Sequence, residues 1–281
     1  PGSGKTLLAS RLCGILPEPS QAEALEAASI ASASGRGLDL AHWRQRPFRA
    51  PHHTASAVAL VGGGADPRPG EISLAHHGVL FLDELPEFQR HALEALREPL
   101  ETGRVTISRA ARQADFPARF QLLAAMNPCP CGHLGSALRA CRCTPDVVAR
   151  YQGRLSGPLL DRIDLQVEVP AVASSALAAA PDGESSTDLA LRVARARELA
   201  LQRQSVLNRD LAGDALARHC AIDAAASSFL QSVSVRLGWS ARGFHRVLRI
   251  ARSIADLAGS EAIVLTHVAE AVQYRRVLAV Q

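Results

Sequence analysis

The chain begins Pro1-Gly2-Ser3-Gly4-Lys5-Thr6, and the fold class can be argued from these residues. They match the second half of the pattern G-x-x-x-x-G-K-[ST], whose glycines let backbone N–H groups curl around phosphate oxygens. We expect Lys5, the chain's only lysine, to reach the β and γ phosphates of ATP, and Thr6 to bind Mg²⁺ through its hydroxyl. The helical pattern from Leu7 to Ile15 points its positive N-terminal end at the anion. A chance glycine turn before a helix is the alternative.

The phosphate pattern is incomplete, since its leading glycine and the strand that normally precedes it are not in the sequence. Pro1 is the first residue, and the only methionine is Met126. We therefore expect a chain that is truncated at its N-terminus within the phosphate loop and that lacks the first strand of the core.

Two further polar groups follow apolar strands. Val79-Leu-Phe-Leu82 is followed by Asp83 and Glu84, and Phe120-Gln-Leu-Leu-Ala-Ala-Met126 is followed by Asn127. In open α/β sheets, ligands bind beyond the carboxyl ends of the strands. We expect Asp83 to hold Mg²⁺, Glu84 to activate the attacking water, and Asn127 to contact both that water and the γ-phosphate. Taken singly, each group has an ordinary alternative, as a solvated acidic turn or as a turn-forming Asn before a proline.

The rest of the chain predicts an α/β core followed by a helical domain. Apolar strands alternate with helical patterns through residues 1–170, and Asp164-Leu-Gln-Val-Glu-Val169 alternates as a further strand should. The Ala-, Ser-, Pro- and Gly-containing residues 171–186 predict a linker, and residues 187–281 are helical throughout. Ser240 is a good N-cap for a helix that Gly259 ends.

Longer motifs along the chain resemble those of the ComM/YifB family of bacterial magnesium chelatase-like AAA+ proteins. The resemblance runs the length of the sequence and rests on Arg49-Ala-Pro-His-His-Thr54, Gly62-Gly-Gly64, Pro69-Gly-Glu-Ile-Ser-Leu-Ala-His76, Gly78-Val-Leu-Phe-Leu-Asp-Glu-Leu-Pro-Glu87, Ala125-Met-Asn-Pro128, Leu155-Ser-Gly-Pro-Leu-Leu-Asp-Arg-Ile-Asp164, Ser240-Ala-Arg242 and Ala251-Arg-Ser-Ile-Ala-Asp-Leu257. It implies a P-loop AAA+ core with a parallel sheet and a C-terminal helical lid domain. Members of the family also carry a Lon-like domain before the phosphate loop.

The resemblance assigns roles to individual residues. It makes Pro1 to Thr6 the remnant of Walker A, Asp83 and Glu84 the Walker B pair, and Asn127 sensor 1. Arg162 resembles the arginine finger of related helicases, which reaches the neighbouring subunit's nucleotide; pairing with Asp161 or Asp164 is the alternative. Arg242 resembles sensor 2, and a cation in the first turn of a helix is disfavoured unless an anion is close.

The family also places two insertions at the central pore of a ring. One is the loop from Gly62 to Gly70, and the other is a hairpin near Gly103 to Phe120. The hairpin carries four arginines that could contact DNA phosphates: Arg104, Arg109, Arg112 and Arg119. A solvated basic hairpin is the alternative. The sequence does not decide whether His52 and His53 lie near the nucleotide or pack at a strand end.

Four of the six cysteines lie close together. Cys129-Pro-Cys131 and Cys141-Arg-Cys143 flank a short polar loop, and four thiolates could form a tetrahedral zinc site. The C-x-C spacing is tighter than the usual C-x₂-C, so reduced free thiols are the alternative, and His133 could replace one ligand.

Composition limits the possible functions. The net charge of +4 permits a polyanionic partner without requiring one, and no apolar run reaches the ~20 residues of a membrane span. We expect a cytoplasmic, ring-forming ATPase that is a hexamer and, as the resemblance implies, acts on DNA as a branch-migration helicase in natural transformation. One alternative is a magnesium-chelatase subunit that couples ATP hydrolysis to metal insertion. Another is an ATP-incompetent fragment acting as a binding or assembly module.

Overall fold

The computed structural model describes residues 4–35, 37, 40–64, 66–109, 112–136, 139–170 and 183–275, without the side chains of Arg109 and Arg112. Pro1, Gly2 and Ser3 of the predicted phosphate loop lie outside this part, as do residues 171–182 of the predicted linker. The described residues form two compact units. The first contains residues 4–162 with 169–170, and the second contains 163–168 and 183–275.

The first unit alternates helices and strands. Its helices are α1 (Lys5–Leu12), α2 (Gln21–Ala33), α3 (Ala57–Val61), α4 (Glu71–Leu74), α5 (Arg90–Glu94), α6 (Arg97–Thr102), α7 (Pro145–Gln152) and α8 (Gly157–Leu160). Its strands are β1 (Phe48–Arg49), β2 (Gly62–Gly63), β3 (Arg68–Pro69), β4 (Val79–Leu82), β5 (Arg104–Arg109), β6 (Arg112–Pro117) and β7 (Gln121–Ala124). Short 3₁₀ turns cover Cys13–Ile15, Leu40–His42 and Leu85–Glu87.

A parallel sheet of order β1-β4-β7 forms the centre of this unit. Strand β4 is buried on both faces, as its unbroken apolar sequence predicts. Leu80 and Leu82 enter the larger core, whereas Phe81 packs on the opposite side with Ala9 of α1. Helix α1 is thereby fixed against the sheet, close to the carboxyl ends of its strands.

Two antiparallel hairpins accompany the sheet in the described residues. Strands β2 and β3 pair Gly62 with Pro69, and β5 and β6 pair from Arg104 with Pro117 to Arg109 with Arg112. The second hairpin is the one predicted near Gly103 to Phe120. Gly103 has a φ of 70° and ends α6 just before β5, a conformation that glycine adopts without strain.

The second unit is helical in its described residues. Its helices are α9 (Ser186–Gln204), α10 (Gly213–His219), α11 (Ala224–Arg236), α12 (Ala241–Leu257) and α13 (Leu265–Gln273), with a 3₁₀ turn at Asn208–Asp210. The hydroxyl of Ser240 accepts the Gly243 N–H and caps α12, and Gly259 follows its end with a φ of 67°. Both features were predicted from the sequence.

The strand predicted at Asp164 to Val169 is wrong, because these residues form neither helix nor strand. The Gln166 N–H donates to the Tyr274 carbonyl at 2.7 Å, and Arg275 donates to the Ile163 carbonyl. The segment therefore bonds to the residues after α13, and the apolar alternation of Leu165 and Val167 remains largely exposed. The domain boundaries at 170 and 186 stay predictions.

Candidate functional site

The described end of the phosphate loop leads directly into α1. Gly4 adopts a φ of 76° at the N-cap, so the backbone turns sharply before Lys5 begins the helix. Lys5 Nζ lies 3.3 Å from Asn127 Oδ1, at the carboxyl end of β7. The two residues are therefore neighbours, as the strand-end argument predicts.

Thr6 and Asp83 form the second contact across this edge of the sheet. The Thr6 hydroxyl donates to Asp83 Oδ2 at 2.7 Å. A hydroxyl and a carboxylate are hard oxygen ligands of the kind that Mg²⁺ prefers, and Mg²⁺ at nucleotide sites takes one or two protein ligands together with phosphate oxygens. The donor set of Thr6 and Asp83 therefore fits the predicted magnesium ion.

Glu84 adopts a left-handed backbone conformation, with φ of 52° and ψ of 46°, immediately after β4. Its N–H donates to Asp83 Oδ1 at 2.9 Å, so the two acidic residues share one tight turn. Its carboxylate lies 3.1 Å from His53 Nδ1, and the Glu84 side chain is 54% exposed. Left-handed geometry is uncommon for a residue other than glycine and often marks a functional site.

The backbone on both sides of Asn127 makes contacts that fix its position. The Ala125 N–H and carbonyl bond to Leu82 and Leu85, each at 2.9 Å, which extends the pairing with β4. The Asn127 N–H faces the Tyr151 hydroxyl, whose pKa is raised by burial. Gln152 Nε2 donates to the Pro128 carbonyl at 2.9 Å. Helix α7 thus contacts the chain at Asn127 and at Pro128.

The two remaining arginines proposed as catalytic lie in different units. Arg162 donates to the Pro158 carbonyl at 2.8 Å and forms an ion pair with Glu101, which leaves its side chain 12% exposed. The expected local partners were Asp161 and Asp164, but the ion pair is with Glu101, and Asp164 pairs with Arg246. Arg242 is exposed in the first turn of α12 in the helical unit.

The arginines predicted to contact DNA follow the β5–β6 hairpin. Arg104 is exposed at the start of β5, and Arg119 is exposed just after β6. Arg109 and Arg112 face each other in the last pair of the ladder, but their side chains lie outside the described part. The hairpin thus carries cations at its base and, by sequence, near its tip.

The four clustered cysteines come together in space. Sγ–Sγ distances are 3.4 Å for Cys129 and Cys131, 3.7 Å for Cys129 and Cys141, and 3.6 Å for Cys131 and Cys141. The Cys143 Sγ lies within 4.8 Å of the other three. Backbone N–H groups of Arg142 and His133 point at the Cys131 sulfur and lower its pKa to about 5. The four cysteines form no disulfide, and their sulfurs all lie within 4.8 Å of one another.

Two residues at this site were not identified from the sequence. The sequence left open whether His53 lies near the nucleotide or packs at a strand end, and the structure places it against Glu84. Tyr151 gave no signal, because an aromatic residue in a helix is more often core than site. None of the helices in the described part of the chain combines the length and apolar character that a membrane span needs.

Comparisons with known proteins show the family to which the chain belongs. The family described as magnesium chelatase, subunit ChlI, matches residues 1–177, and the C-terminal region of that subunit matches residues 183–275. Competence protein ComM of Haemophilus influenzae is 50% identical over 276 residues, which cover 98% of this chain and 54% of that protein. YifB of Escherichia coli is 49% identical over 278 residues, 99% of this chain and 54% of YifB.

A more distant relative is the magnesium-chelatase 38 kDa subunit of Acidiphilium rubrum. It is 26% identical over 224 residues, which cover 74% of this chain and 54% of that protein. The chain therefore spans about half the length of the curated relatives it matches.

Proposed function

The chain belongs to the magnesium chelatase subunit ChlI family, which has a P-loop AAA+ fold with a C-terminal helical domain, and from this membership we propose that it is an ATP-hydrolysing motor. One observation carries the proposal. Residues from three separate stretches, Lys5 with Thr6, Asp83 with Glu84, and Asn127, meet at the carboxyl ends of two adjacent parallel strands. Phosphate, metal ion and attacking water are bound at this edge in P-loop enzymes.

Each residue has a separate task in this proposal. Lys5 binds the β and γ phosphates, and Thr6 and Asp83 hold Mg²⁺, which neutralises charge on the phosphates when bound. Glu84 accepts a proton from the attacking water, and Asn127 orients that water with its side-chain amide. Lys5→Ala should weaken nucleotide binding itself, as measured by titration with a fluorescent ATP analogue. Unchanged affinity would contradict the assignment of the phosphate site.

We further propose that the motor is a hexameric ring in which Arg162 acts on the neighbouring subunit's nucleotide. An arginine supplied in trans can raise turnover by ~10³–10⁵. In the isolated chain Arg162 is paired with Glu101, so assembly would have to draw the guanidinium away from that carboxylate. Arg162→Ala should abolish turnover while the affinity for ATP is kept.

Mixed rings test the trans arrangement. Arg162→Ala and Glu84→Gln proteins are each expected to be inactive alone. In mixed rings, some interfaces combine an intact Glu84 with an intact Arg162, and those interfaces should restore partial ATPase activity. Native mass spectrometry confirms that mixed rings have formed. Absence of activity in such rings, while rings mixed from wild type and either variant stay active, would contradict the proposal.

Arg242 is proposed to act as sensor 2 from the helical unit. Its place in the first turn of α12 puts a cation where the helix dipole disfavours one, so a bound phosphate would relieve the repulsion. Arg242→Ala should lower turnover, whereas Arg236→Ala, an exposed arginine at the end of α11, should leave it unchanged.

The proposed substrate is DNA, on which the motor would act as a branch-migration helicase in natural transformation. The support is the 50% identity to competence protein ComM and the arginine-bearing β5–β6 hairpin. Lys and Arg contacts to phosphate release counterions. The logarithm of the DNA-binding constant therefore falls linearly with the logarithm of the salt concentration, with a slope of about −0.9 per contact on duplex DNA.

The DNA proposal is tested through that slope. Arg104→Ala with Arg109→Ala should weaken binding to a branched DNA and flatten its salt dependence by about two contacts. The matched control changes Arg218 and Arg236, two exposed arginines of the helical unit, and should leave the slope unaltered. Equal slopes in wild type and hairpin variant would place the DNA contact elsewhere.

A second candidate is a magnesium-chelatase subunit, favoured by the 26% identity to the Acidiphilium rubrum protein. It differs in what stimulates hydrolysis. A branch-migration motor should hydrolyse ATP faster when branched DNA is added, whereas a chelatase subunit should not respond to DNA. Branched DNA that neither binds nor stimulates would support the chelatase.

We also propose that the four cysteines hold a structural zinc ion. A tetrahedral ion with Zn–S bonds of about 2.3 Å places its sulfurs about 3.8 Å apart. The three measured Sγ–Sγ distances, 3.4, 3.6 and 3.7 Å, approach that spacing. Protein purified without chelator should contain about one zinc per chain, and Cys141→Ser should reduce it. Metal analysis that finds none would leave four reduced thiols.

A further inference from the structure

The proposed zinc site lies two residues after Asn127 along the chain. Cys129 is fully buried directly after Pro128, and Cys143 directly precedes Thr144, the N-cap of α7. Cys129 and Cys131 therefore follow the Asn127 loop, and Cys141 and Cys143 lie just before α7.

Helix α7 leads back to the same loop. At its far end, Gln152 donates to the Pro128 carbonyl at 2.9 Å, and the Tyr151 hydroxyl faces the Asn127 N–H. Chain and contacts together form a closed circuit. It runs from Asn127 to Cys129, across the four sulfurs to Cys143, along α7 to Tyr151, and back to Asn127.

The sulfur contacts close this circuit at the cysteine cluster. Between the two cysteine pairs, backbone hydrogen bonds among the described residues form two short turns, Gly132 to Cys129 and Ser136 to His133. These turns shape the loop without joining its two ends. Contacts between cysteines on opposite sides, such as Cys129 with Cys141 at 3.7 Å, join them.

We propose that Zn²⁺ bound by the four cysteines positions Asn127 for ATP hydrolysis, so that the zinc site and the nucleotide site are energetically linked. The ion fastens α7 to the end of the Asn127 loop, and α7 holds that loop through the hydrogen bond from Gln152 to the Pro128 carbonyl, next to Asn127. Asn127 Oδ1 then meets Lys5 Nζ at 3.3 Å. The inference rests on the zinc and ATPase functions proposed above, and it makes the cysteines positioning residues.

Hydrogen exchange reports the link without any need for turnover. Zinc-loaded protein is compared with protein stripped by a chelator, and the metal content of both is measured. Exchange should rise in the cysteine loop and also in residues 125–128 and 144–152. Protein that never contains zinc, or faster exchange confined to residues 129–143, would overturn the proposal. Because this readout does not involve ATP, failure of the ATPase proposal remains distinguishable.

Kinetics of variants give the second measurement. Asn127→Ala should lower kcat on the order of 10²-fold with little change in KM, since a preorganised polar group is removed. Cys143→Ser should lower kcat similarly, and the double variant should be little worse than either single one. Fully multiplicative losses in the double variant would mean that the zinc site acts independently of Asn127.

Two further variants guard against general misfolding. Tyr151→Phe removes only the hydroxyl that faces the Asn127 N–H, so it should keep zinc and lower kcat. Cys220→Ala changes a buried cysteine of the helical unit and should keep both zinc and turnover. Tyr151→Phe with wild-type kcat would break the proposed circuit even if Cys143→Ser fails to fold.

Discussion

The strand-end site of the α/β unit and the ion network inside the helical unit use similar charged residues in different surroundings. In the helical unit, Asp256 is 2% exposed at its side chain and accepts hydrogen bonds from Arg203, Asn208 and Arg252. At the strand ends, Glu84 is 54% exposed and contacts His53 at 3.1 Å. The first carboxylate is enclosed by donors, whereas the second keeps much of its surface open.

This difference separates stability from function. A carboxylate whose lone pairs are occupied inside the protein fixes the packing of helices, and removing it leaves buried cations behind. A carboxylate that keeps an open side can accept a proton from water, which is what the proposed base must do. We therefore expect substitutions at the first site to change folding and substitutions at the second to change turnover.

Between these two carboxylates, the larger expected effect on turnover is that of Glu84→Gln. Removing the proton acceptor should lower kcat by about 10²–10⁴-fold, because general-base catalysis contributes that much. ATP affinity and thermal stability should stay close to wild type, since the side chain is exposed. The matched control is Glu18→Gln, an exposed glutamate paired with Arg44 at 3.7 Å. Turnover by Glu84→Gln equal to that of the control would remove Glu84 from the reaction.

Asp256→Ala should have the largest effect on stability. It leaves Arg203 and Arg252 without their shared carboxylate, and breaking a buried pair in this way costs about 3–5 kcal/mol. Urea unfolding followed by circular dichroism measures the loss. Asp210→Ala removes the partner of Arg209 at an exposed site and should cost less than about 1 kcal/mol. Similar losses in both variants would mean that burial does not distinguish the two clusters.

The same network should resist acid. Burial raises the pKa of Asp256, but hydrogen bonds from Arg203 and Asn208 and the charge of Arg252 outweigh it and hold the pKa below its ordinary value. Its contribution to stability is therefore present above the unfolded pKa of about 3.9 and is lost only as the pH falls through the lower folded value.

Much of both units could be predicted from local sequence. The all-apolar run of β4 and the capped, amphipathic α12 are determined within a few residues, and both were confirmed. The meeting of Lys5 with Asn127 followed from a general rule about strand ends, and the contact is present in the structure. Their catalytic roles remain predictions.

The rest depends on contacts between distant residues. Arg252 and Asp256 are four residues apart on one helix, a spacing visible in the sequence, but Arg203 is 53 residues from Asp256. His53 contacts Glu84 where Glu84 adopts a left-handed turn, and an apolar strand followed by two acidic residues does not specify that turn. The alternation in Asp164 to Val169 predicted a strand, yet a strand also needs a partner, and the Gln166 N–H bonds to Tyr274 instead.

A smaller effect is expected from pH at His76, which is 2% exposed. Its Nδ1 accepts the Arg119 N–H, so Nε2 carries the proton toward Glu26, with His77 and Glu23 nearby. Burial lowers the pKa of His76. A depressed folded pKa contributes stability above the unfolded value of about 6.5, and this is lost as the pH falls through the folded value.

Acidification from pH 7.5 to 5.5 should therefore destabilise the wild type through His76 by at most about 1.4 kcal/mol per pH unit. In His76→Gln the pH slope of the unfolding free energy should be shallower. His91→Gln changes an exposed histidine of α5 and should keep the wild-type slope. A slope in His76→Gln as steep as that of the wild type would show that another group titrates.

The smallest expected effect is that of His53, and it tests whether the open carboxylate is held back in the free enzyme. His53 Nδ1 lies 3.1 Å from Glu84 Oε2, and both side chains are substantially exposed, 31% and 54%. Because solvent screens such an exposed contact, its loss should change kcat by a factor of at most about five. The contact draws Glu84 toward the loop after β1, so His53→Ala should release the carboxylate and raise basal kcat within that factor. His91→Ala serves as the control and should leave kcat unchanged. Steady-state ATPase assays at saturating ATP make the comparison. A fall of tenfold or more in His53→Ala would instead mean that His53 orients Glu84 toward the attacking water. Glu84 would then depend on a neighbouring side chain to hold it in place, as Asp256 does in the helical unit.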